Sequence, residues 1–523
     1  LTIQYKMMGI LSLLGLLVFD TLASWIRMFI ALGASILLGL GIGIYAARRE
    51  TAEKVVIPIV DILQTLPILA FFPFVIYVIV ATLPGYIGIN AAVIFLIITS
   101  MLWNIIFGVY EAVKTLPQEF LELAALYKLN KWKRLAKIYV PASMPKVIDQ
   151  STLSFAIGLF YLVTSEIFST ANSTYAVKYG IGVEFTKLAI SSNFAAYAMG
   201  IAVFIAFVIA TRLFFFAKLE KYYNRYNAPS RPKPLAQARH RPYAAFAHAI
   251  VTHLPKIRFK TGNKQQIERV YTPKPEKKII SSKVVGYALL SVTILLILSY
   301  RPFYANEGIV LVSLAASFAR VWLAFALITV IAVPLVVYLL FMSKHASSYL
   351  LLFQILASIP ATILLPIIVT ALKGLPMHDE LVAFTVYFLS GIWYVVFSTL
   401  ANKAYIPTSM LEVKRIFGVK GIEAWKKMYF YAILPGLITG AVTGIAAEWN
   451  ASIVAEYFTT SAIGSGAVIT SVGIGIGKLL DTSLDSGNLS LMLLGLLNLT
   501  IMIVIINRFV WNRLYRKIEA VSK

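Results

Sequence analysis

Charged residues inside otherwise apolar segments are the side chains of this sequence best placed to do chemistry. Glu166 and Glu456 lie toward the ends of two such segments, and Glu448 lies one to two helical turns before Glu456. An ionisable group within a membrane span is costly to bury and commonly marks a transport pathway or a gate. We expect that role for Glu166 and Glu456, with extension to the interface or pairing with a neighbouring helix as the alternative. Arg27 and Arg320 open predicted spans near an interface and are expected to be anchors.

Nucleotide hydrolysis and metal chemistry are not indicated by the remaining residues. The segment 473–478, Gly-Ile-Gly-Ile-Gly-Lys, resembles a phosphate-binding loop, but it lacks the Gly-x4-Gly-Lys-Ser/Thr spacing and continues with Leu479. Close helix packing and a turn account for its glycines. The chain has no cysteine, and its 5 histidines are scattered without the spacing of metal ligands. We therefore predict no catalytic residue, no metal and no cofactor bound by this chain.

The elements that position these residues must be membrane helices. Hydrophobic residues make up 59% of the 523 residues and charged residues 13%. Long apolar runs without the alternation of barrel strands predict an all-α polytopic membrane protein, because backbone groups in lipid need internal hydrogen bonds. The predicted spans are 28–46, 56–80, 88–109, 149–170, 195–216, 283–299, 320–341, 349–371, 382–400, 432–458 and 488–509. Residues 7–19 are ambiguous, which leaves eleven or twelve spans open, and 300–312 is predicted as an extracytoplasmic loop.

The net charge of +24 has two interpretations, a nucleic-acid partner or membrane topology. Lys and Arg concentrate in 217–283 and 128–137, whereas the connections 81–90 and 171–194 are nearly neutral. Basic loops of membrane proteins collect in the cytoplasm, and no basic fold interleaved with aromatic residues accompanies the charge. We predict a multi-pass protein of the plasma membrane, surrounded by the lipid bilayer, with a cytoplasmic segment 222–281, a cytoplasmic C-terminus and no nucleic-acid partner.

Singular residues recur along the chain at a nearly fixed offset. At about 290 residues Trp103 pairs with Trp393, Glu122 with Glu412 and Glu166 with Glu456, and at about 293 residues Arg27 pairs with Arg320 and Pro67 with Pro360. Such self-similarity indicates a duplicated architecture, and matching basic loops give both copies one orientation. We predict two parallel repeats of five to six transmembrane helices, 1–221 and 282–523, joined by a basic, proline-rich cytoplasmic linker, 222–281.

Two of these residue pairs are further candidates for a pathway or gate. Pro67 and Pro360 fall inside predicted spans, where a proline removes a backbone hydrogen bond and kinks the helix. Such kinks serve either gating or architecture alone. Trp103 and Trp393 are candidates for the same pathway, with packing or an interfacial aromatic belt as the alternative.

A charged, amphipathic stretch interrupts each repeat at the same place, residues 116–141 and 406–435. It is too polar to enter lipid, and we predict a short helix–turn–helix that docks on another protein. Its turn needs a residue with positive φ, which glycine adopts at little steric cost. Gly418 stands at that point in the second repeat and Lys128 in the first. Either Lys128 adopts positive φ or the turn is built differently.

This stretch resembles the EAA loop of ABC-importer permeases, in which Glu-Ala-Ala, then Gly, then Ile-x-Leu-Pro recur at fixed spacing. The corresponding positions are Glu122, Ala124, Lys128, Ile138 and Pro141 in the first repeat, and Glu412, Gly418 and Met428 in the second, where Tyr431 stands in place of the usual Pro. Pro435, at the end of the second stretch, is a further candidate for contact with the ATPase. Lys128 stands in place of the usual Gly, and Met428 in place of the usual Ile. Segments 61–73, 180–182 and 473–475 look like the nitrate/sulfonate/taurine branch of these permeases.

The resemblance implies a type I ABC-importer permease fold and a transport subunit that is not itself an enzyme. Two separate ABC ATPase subunits, identical or different, would use ATP and dock on the two EAA loops, with Glu122 and Glu412 as charged contacts. An extracytoplasmic binding protein would deliver a small solute such as nitrate, a sulfonate or taurine. Two other classes stay open, an ion-gradient-driven secondary transporter and a membrane scaffold protein. A docking hairpin in each repeat favours the importer over both.

Overall fold

The computed structural model describes residues 9–65, 71, 75–83, 85–170, 173–191, 193–224, 301–341, 349, 353, 356–357, 359–401, 421–459, 468–506 and 510. Within these ranges, seven helices are long and apolar enough, by length and composition, to cross a membrane. They are Ile10–Arg48, Gly85–Lys114, Phe194–Lys221, Ala305–Phe341, His378–Leu400, Ala432–Glu456 and Leu489–Ile506. The predicted class, a helical polytopic membrane protein, is confirmed.

The first half of the chain is a series of helices interrupted by one hairpin of strands. The helices are α1 (Ile10–Arg48), α2 (Glu50–Thr65), α3 (Gly85–Lys114), α4 (Gln118–Leu126), α5 (Lys131–Arg134), α6 (Val140–Glu166), α7 (Ile181–Ile190), α8 (Phe194–Ala210) and α9 (Ala217–Asn224). Wider π-helical turns occupy Val75–Val80, Leu135–Tyr139 and Thr211–Phe216. Strands β1 (Ile167–Thr170) and β2 (Ser173–Ala176) pair antiparallel directly after α6.

The second half follows the same order in its described part. Its helices are α10 (Arg301–Phe341), α11 (Ala361–Leu372), α12 (His378–Ala401), α13 (Gly421–Ala424), α14 (Phe430–Glu456), α15 (Ile476–Asp485) and α16 (Leu489–Ile506). A π-helical turn at Trp425–Tyr429 precedes α14, as Leu135–Tyr139 precedes α6. Strands β3 (Tyr457–Thr459) and β4 (Val468–Ser471) pair antiparallel directly after α14. The two hairpins were not predicted from the sequence.

The leading helices α1 and α10 are longer than the sequence predicted. With 39 and 41 residues, they extend about 60 Å at 1.5 Å per residue, about twice the hydrocarbon thickness of a bilayer. The predicted loop 300–312 is wrong from Arg301 onward, because that stretch is helical. Its Val310 and Leu314 are buried four residues apart, and the polar Glu307 accepts a hydrogen bond from Asn498 of α16, Oε2 to Nδ2 3.2 Å. Residues 283–299 lie outside the described residues.

The proline expectation also needs correction. Pro360 does not lie inside a helix but is the residue immediately before α11, a position where its missing N–H leaves no helical hydrogen bond unmade. Pro67 lies outside the described residues. The described helices instead carry internal prolines at Pro58, Pro145, Pro334, Pro366 and Pro435.

Both halves lie in one compact unit, and the largest cluster of buried hydrophobic residues contains side chains of both. In each half the third long helix packs between its neighbours, α3 against α1 and α6, and α12 against α10 and α14. The halves also meet directly. The Tyr197 hydroxyl donates to the Ile363 carbonyl at 2.7 Å, and Thr362 Oγ1 donates to the Phe160 carbonyl at 3.4 Å. Helix α11 thus packs on the first half while α2 packs on α14 and α16 of the second.

Candidate functional site

The charged stretch of the first half folds as a tight helix–turn–helix, α4 to α5, which we call the docking hairpin (Gln118–Arg134). Lys128 has φ 48°, so the prediction that it takes the left-handed position of the turn is confirmed. The turn is closed by backbone bonds from Lys128 N to the Ala125 carbonyl (3.0 Å) and from Leu129 N to the Ala124 carbonyl (2.9 Å). Asn130 then begins α5 by accepting from Lys133 N at 2.8 Å. These bonds fix the angle between the two short helices.

The docking hairpin presents large apolar side chains next to its charges. Ala124 is buried, whereas Glu122 is exposed. Leu126, Tyr127 and Trp132 are 75%, 73% and 78% exposed. Aromatic side chains exposed among charges are typical of surfaces that bind another protein, where they become the energetic anchors.

The return from the docking hairpin connects it to the long helices. Ile138 lies half-buried in the π-helical turn, and Pro141 lies in the first turn of α6. Tyr139 between them is buried, and the guanidinium of Arg48, at the end of α1, lies 4.9 Å from its ring centroid. Displacement of the docking hairpin would therefore be transmitted to both α1 and α6.

The corresponding stretch of the second half is described only at its end. Glu412 and Gly418 lie outside the described residues. Met428 lies in the π-helical turn before α14 and is buried among apolar side chains, so its side chain does not contribute to an exposed surface of this chain. Pro435 lies within α14, and its side chain is outside the described part.

Glu166, the last residue of α6, is the centre of a buried polar cluster, which we call the first cluster. Its Oε1 accepts from Ser24 Oγ (2.5 Å) and Arg27 Nη1 (2.9 Å), and its Oε2 accepts from Gly182 N (2.8 Å). Arg27 also donates to Asn90 Oδ1 and the Tyr179 carbonyl, both at 2.7 Å. Two further backbone N–H groups at the start of α7 are bound, that of Gly180 by Asp20 Oδ1 (3.1 Å) and that of Ile181 by Ser24 Oγ (2.9 Å).

Glu456, the last residue of α14, is the centre of an equivalent second cluster. Its Oε1 accepts from Ser317 Oγ (2.6 Å), Arg320 Nη1 (3.0 Å) and the Tyr387 hydroxyl (2.9 Å), and its Oε2 accepts from Gly477 N (2.8 Å). Arg320 donates further to both oxygens of Glu380, at 2.6 and 2.7 Å. The same three components bind one another in both clusters. They are an arginine of the leading helix (α1 or α10), the glutamate that ends α6 or α14, and backbone N–H groups of the short helix that follows (α7 or α15).

The two clusters bear on three details of the sequence interpretation. Arg27 is only 4% exposed and bound to Glu166, so the expectation that it anchors the chain at an interface is wrong. Glu166 and Glu456 are each buried and paired with an arginine, and their role in a pathway or gate stays a prediction. Gly180 and Gly182 of the first half correspond to Gly475 and Gly477 of the second. They lie two residues beyond the segment 473–475 that the sequence suggested, because the offset between the two halves is longer after the hairpin β3–β4.

Some members of the clusters were missed although a sequence signal was present. Ser24 and Ser317 stand three residues before their arginines in both halves, a spacing that places both side chains on one face of a helix. Gly180 is required by close approach, since a Cβ there would lie 2.6 Å from Glu166 Oε2. A Cβ at Gly475 would overlap the Glu456 carboxylate in the same way.

The remaining candidates are packing residues in the described conformation. Trp103 is half-buried against a small core cluster that contains Leu102 and Ile106. The ring of Trp393 lies 6.0 Å from that of Phe353 and 6.3 Å from that of Phe397, centroid to centroid. Among the residues that the structure describes, no three His, Asp or Glu side chains come together as metal ligands.

A small crevice lies where the halves meet. It encloses about 170 Å³ and is lined by Leu188, Ala189, Asn193, Phe194, Tyr197, Pro366, Val369 and Thr370. This lining carries no Lys, Arg, Asp or Glu. It is therefore a neutral surface with hydrogen-bonding and aromatic groups at one end of the interface between α8 and α11.

Residues 39–219 match the family described as the binding-protein-dependent transport system inner membrane component. By this match, the segment belongs to the family of ABC-importer inner-membrane permeases, and we call it the permease segment. The permease segment contains the docking hairpin, Glu166, the first hairpin of strands and α7, and it lacks only the α1 residues of the first cluster. The recognition that the sequence suggested is thereby confirmed for this part of the chain.

Relatives of the chain belong, by their names, to several transport systems. The chain is 25% identical over 200 residues to the glycine betaine transport system permease protein OpuAB of Bacillus subtilis, covering 35% of this chain and 67% of the relative. It is 26% identical over 146 residues, 28% of this chain, to the bicarbonate transport system permease protein CmpB of Synechococcus elongatus, of which it covers 49%. It is 27% identical over 217 residues, 40% of this chain, to the nitrate import permease protein NrtB of Leptolyngbya laminosa, of which it covers 70%.

Proposed function

We propose that this chain is the transmembrane subunit of an ATP-binding-cassette importer and that each of its halves is one permease unit. The family match covers residues 39–219 of the first half, and the second cluster repeats the serine, the arginine, the glutamate and the backbone N–H groups of the first. On this proposal the permease units are 1–221 and 282–523, joined by a cytoplasmic linker, 222–281. The chain itself catalyses no reaction and forms a pathway where the two halves meet.

The docking hairpin is the single feature that carries the proposal. Its exposed Trp132 and Tyr127 lie beside the charged Glu122 on a turn fixed by Lys128. A separate ATPase subunit would bury these aromatic side chains, and its movement would reach α1 through Tyr139 and Arg48. The second half would offer a corresponding loop with Glu412 and Gly418. Two ATPases, identical or different, would then bind one chain, and the unequal loops favour unequal engagement.

The relatives support a small charged or zwitterionic solute. The printed names of the three relatives specify glycine betaine, bicarbonate and nitrate. A sulfonate or taurine belongs to the same chemical range. The crevice beside Tyr197 and Thr370 would be part of the pathway, and an extracytoplasmic binding protein would supply solute to it. Because the crevice is neutral, selectivity among these solutes would rest mainly on that binding protein.

Co-purification of the full chain from its native membrane tests the proposal. We expect an ABC ATPase to accompany the wild-type chain, and the Trp132→Ala and Glu122→Lys variants to lose most of it because the anchor and the charged contact are removed. Tyr86→Ala is the matched control, because this exposed aromatic lies at the opposite end of α3 from the docking hairpin.

Three outcomes separate the functional classes. Retention of the ATPase by Trp132→Ala and Glu122→Lys at the wild-type level would show that the docking hairpin is not its binding site. Transport by the isolated chain under an ion gradient, with no ATPase present, would identify a secondary transporter. Neither transport nor an ATPase partner, with other membrane proteins captured instead, would identify a scaffold.

A further inference from the structure

Glu448 is a buried acid that neither cluster uses. It lies in α14 eight residues before Glu456, and its exposed fraction is 0%. Neither of its carboxylate oxygens has a hydrogen-bond partner among the described residues. An ionised carboxylate without a donor is among the costliest groups to place in an apolar interior, and in practice such a group binds a proton and becomes neutral.

Packing around Glu448 shows that a carboxyl is not needed to fill its space. It lies against Gly391 of α12, where an added Cβ would lie 3.0 Å from Glu448 Cδ and 2.8 Å from Ile328 Cδ1. At the matching positions of the first half, Gly158 of α6 faces Met101 of α3, and Met101 is fully buried. The large and the small residue have exchanged helices between the two halves. The first half fills this contact with a thioether and the second half with a carboxylic acid.

Polar groups continue from the neighbourhood of Glu448 to the second cluster. Tyr387 precedes Gly391 by four residues on α12 and therefore shares its face, and its hydroxyl donates to Glu456. Arg320 of α10 then links Glu456 to Glu380, whose side chain is 32% exposed. Tyr387, Glu456 and Arg320 are titratable or charged groups on the helices packed around Glu448, and α12 also carries His378, Asp379, Glu380 and Tyr394. In the first half the position of Tyr387 is occupied by Ile97, so no such line of polar groups exists there.

We propose that Glu448 is a proton-binding site, present in the second half only, whose carboxyl is neutral while α12 and α14 are in contact and releases its proton when they separate. On release, the O–H bond breaks, its electron pair stays on the carboxylate, and entering water takes the proton. Water reaches the Glu448 carboxyl from the side on which Tyr387 and the second cluster lie. The site gives the chain a proton-dependent step that the family assignment does not contain.

Infrared spectroscopy of the full chain in lipid nanodiscs tests this site, because a protonated carboxylic acid has a carbonyl stretching band separate from that of a carboxylate. At pH 7 to 8 we expect the wild-type chain to show the band of a protonated carboxylic acid, and Glu448→Gln to lose the intensity of one carboxyl. The double variant Gly391→Met/Glu448→Gly, which reproduces the packing of the first half, should lose the same intensity. Glu380→Gln is the matched control and should leave the band intact, because both oxygens of Glu380 accept from Arg320 and its side chain is 32% exposed. The reverse exchange, Met101→Gly/Gly158→Glu, should add a band.

Two outcomes would overturn the proposal. One is a wild-type chain without the band of a protonated carboxylic acid, and the other is a band that is unchanged in both Glu448→Gln and the double variant. If those variants fail to fold, Gly391→Ala decides the matter, since its methyl group presses on the carboxyl and shifts the band only if Glu448 carries it. None of these spectra requires an ATPase or a solute, so failure of the importer proposal would leave the result standing.

Discussion

The first and second clusters share one construction and differ in the partners of their arginines. In both, a serine and an arginine of the leading helix and the N–H groups of the following short helix bind the glutamate that ends α6 or α14. Around this common part, Arg27 meets one carboxylate and the amide of Asn90, whereas Arg320 meets two carboxylates, Glu456 and Glu380. The common part holds each hairpin of strands onto its bundle. The variable part gives Arg320 two carboxylate partners where Arg27 has one.

Removal of the arginines tests this difference with the largest expected effect. Arg27→Met leaves Glu166 buried without its counter-charge and should lower the free energy of unfolding by about 3 to 5 kcal/mol. Arg320→Met leaves two acids facing each other and should lower it further. The measurement is reversible unfolding of the full chain in mixed micelles. As a control, Glu166→Gln in the Arg27→Met background should restore part of the lost free energy of unfolding. Equal losses of this free energy for Arg27→Met and Arg320→Met would contradict the comparison.

Glycine substitutions test the common part of the two clusters. Gly180→Ala and Gly475→Ala place a methyl group against the carboxylates of Glu166 and Glu456, and each should cost about 1 to 3 kcal/mol through overpacking. Gly473→Ala is a matched control in the same loop, because a Cβ at Gly473 would meet nothing within 4 Å, and its effect should stay within about 0.5 kcal/mol. If Gly473→Ala lowered the free energy of unfolding as much as Gly475→Ala, Gly473 would be the counterpart of Gly180, as the sequence suggested.

An ion pair near the start of α2 gives the smallest expected effect. A hydrogen bond from Lys114, and then one from Tyr110, hold the pKa of Glu53 below its usual range. Because this pKa is lowered by folding, the stabilisation is present above the unfolded value of about 4.3 and is lost as pH falls through the folded pKa. Lys114 is 44% exposed, so the contribution should stay below about 1 kcal/mol.

The corresponding positions of the second half, Ala346 and Ala404, carry alanine in the sequence. Unfolding free energies of wild type and Lys114→Met between pH 3 and 6 check this expectation for the first half. The gap between the two proteins should close toward the acidic end. A gap of constant size across that range would show that Lys114 acts through packing and not through the charge of Glu53.

Local sequence patterns predicted the helical class and offered a left-handed Lys128 as one of two alternatives, because each depends on residues close together along the chain. The duplication, which depends on a repeated spacing, stays a prediction. The pairing of Arg27 with Glu166 depends on two residues 139 positions apart, and hydrophobic periodicity carries no information about such a contact. Arg27 therefore looked like the start of a span and not like the middle of a 39-residue helix. The hairpin β1–β2 was missed for a related reason, since four-residue strands between apolar helices continue the same apolar composition.

In the described part of the chain, hydrogen bonds from Tyr197 to Ile363 and from Thr362 to Phe160 join the two halves directly, and helices of the halves also pack on one another. A continuous polypeptide keeps the halves at a fixed one-to-one stoichiometry, with an effective local concentration on the order of millimolar whatever the copy number. The halves therefore stay together even if contacts between them break and re-form.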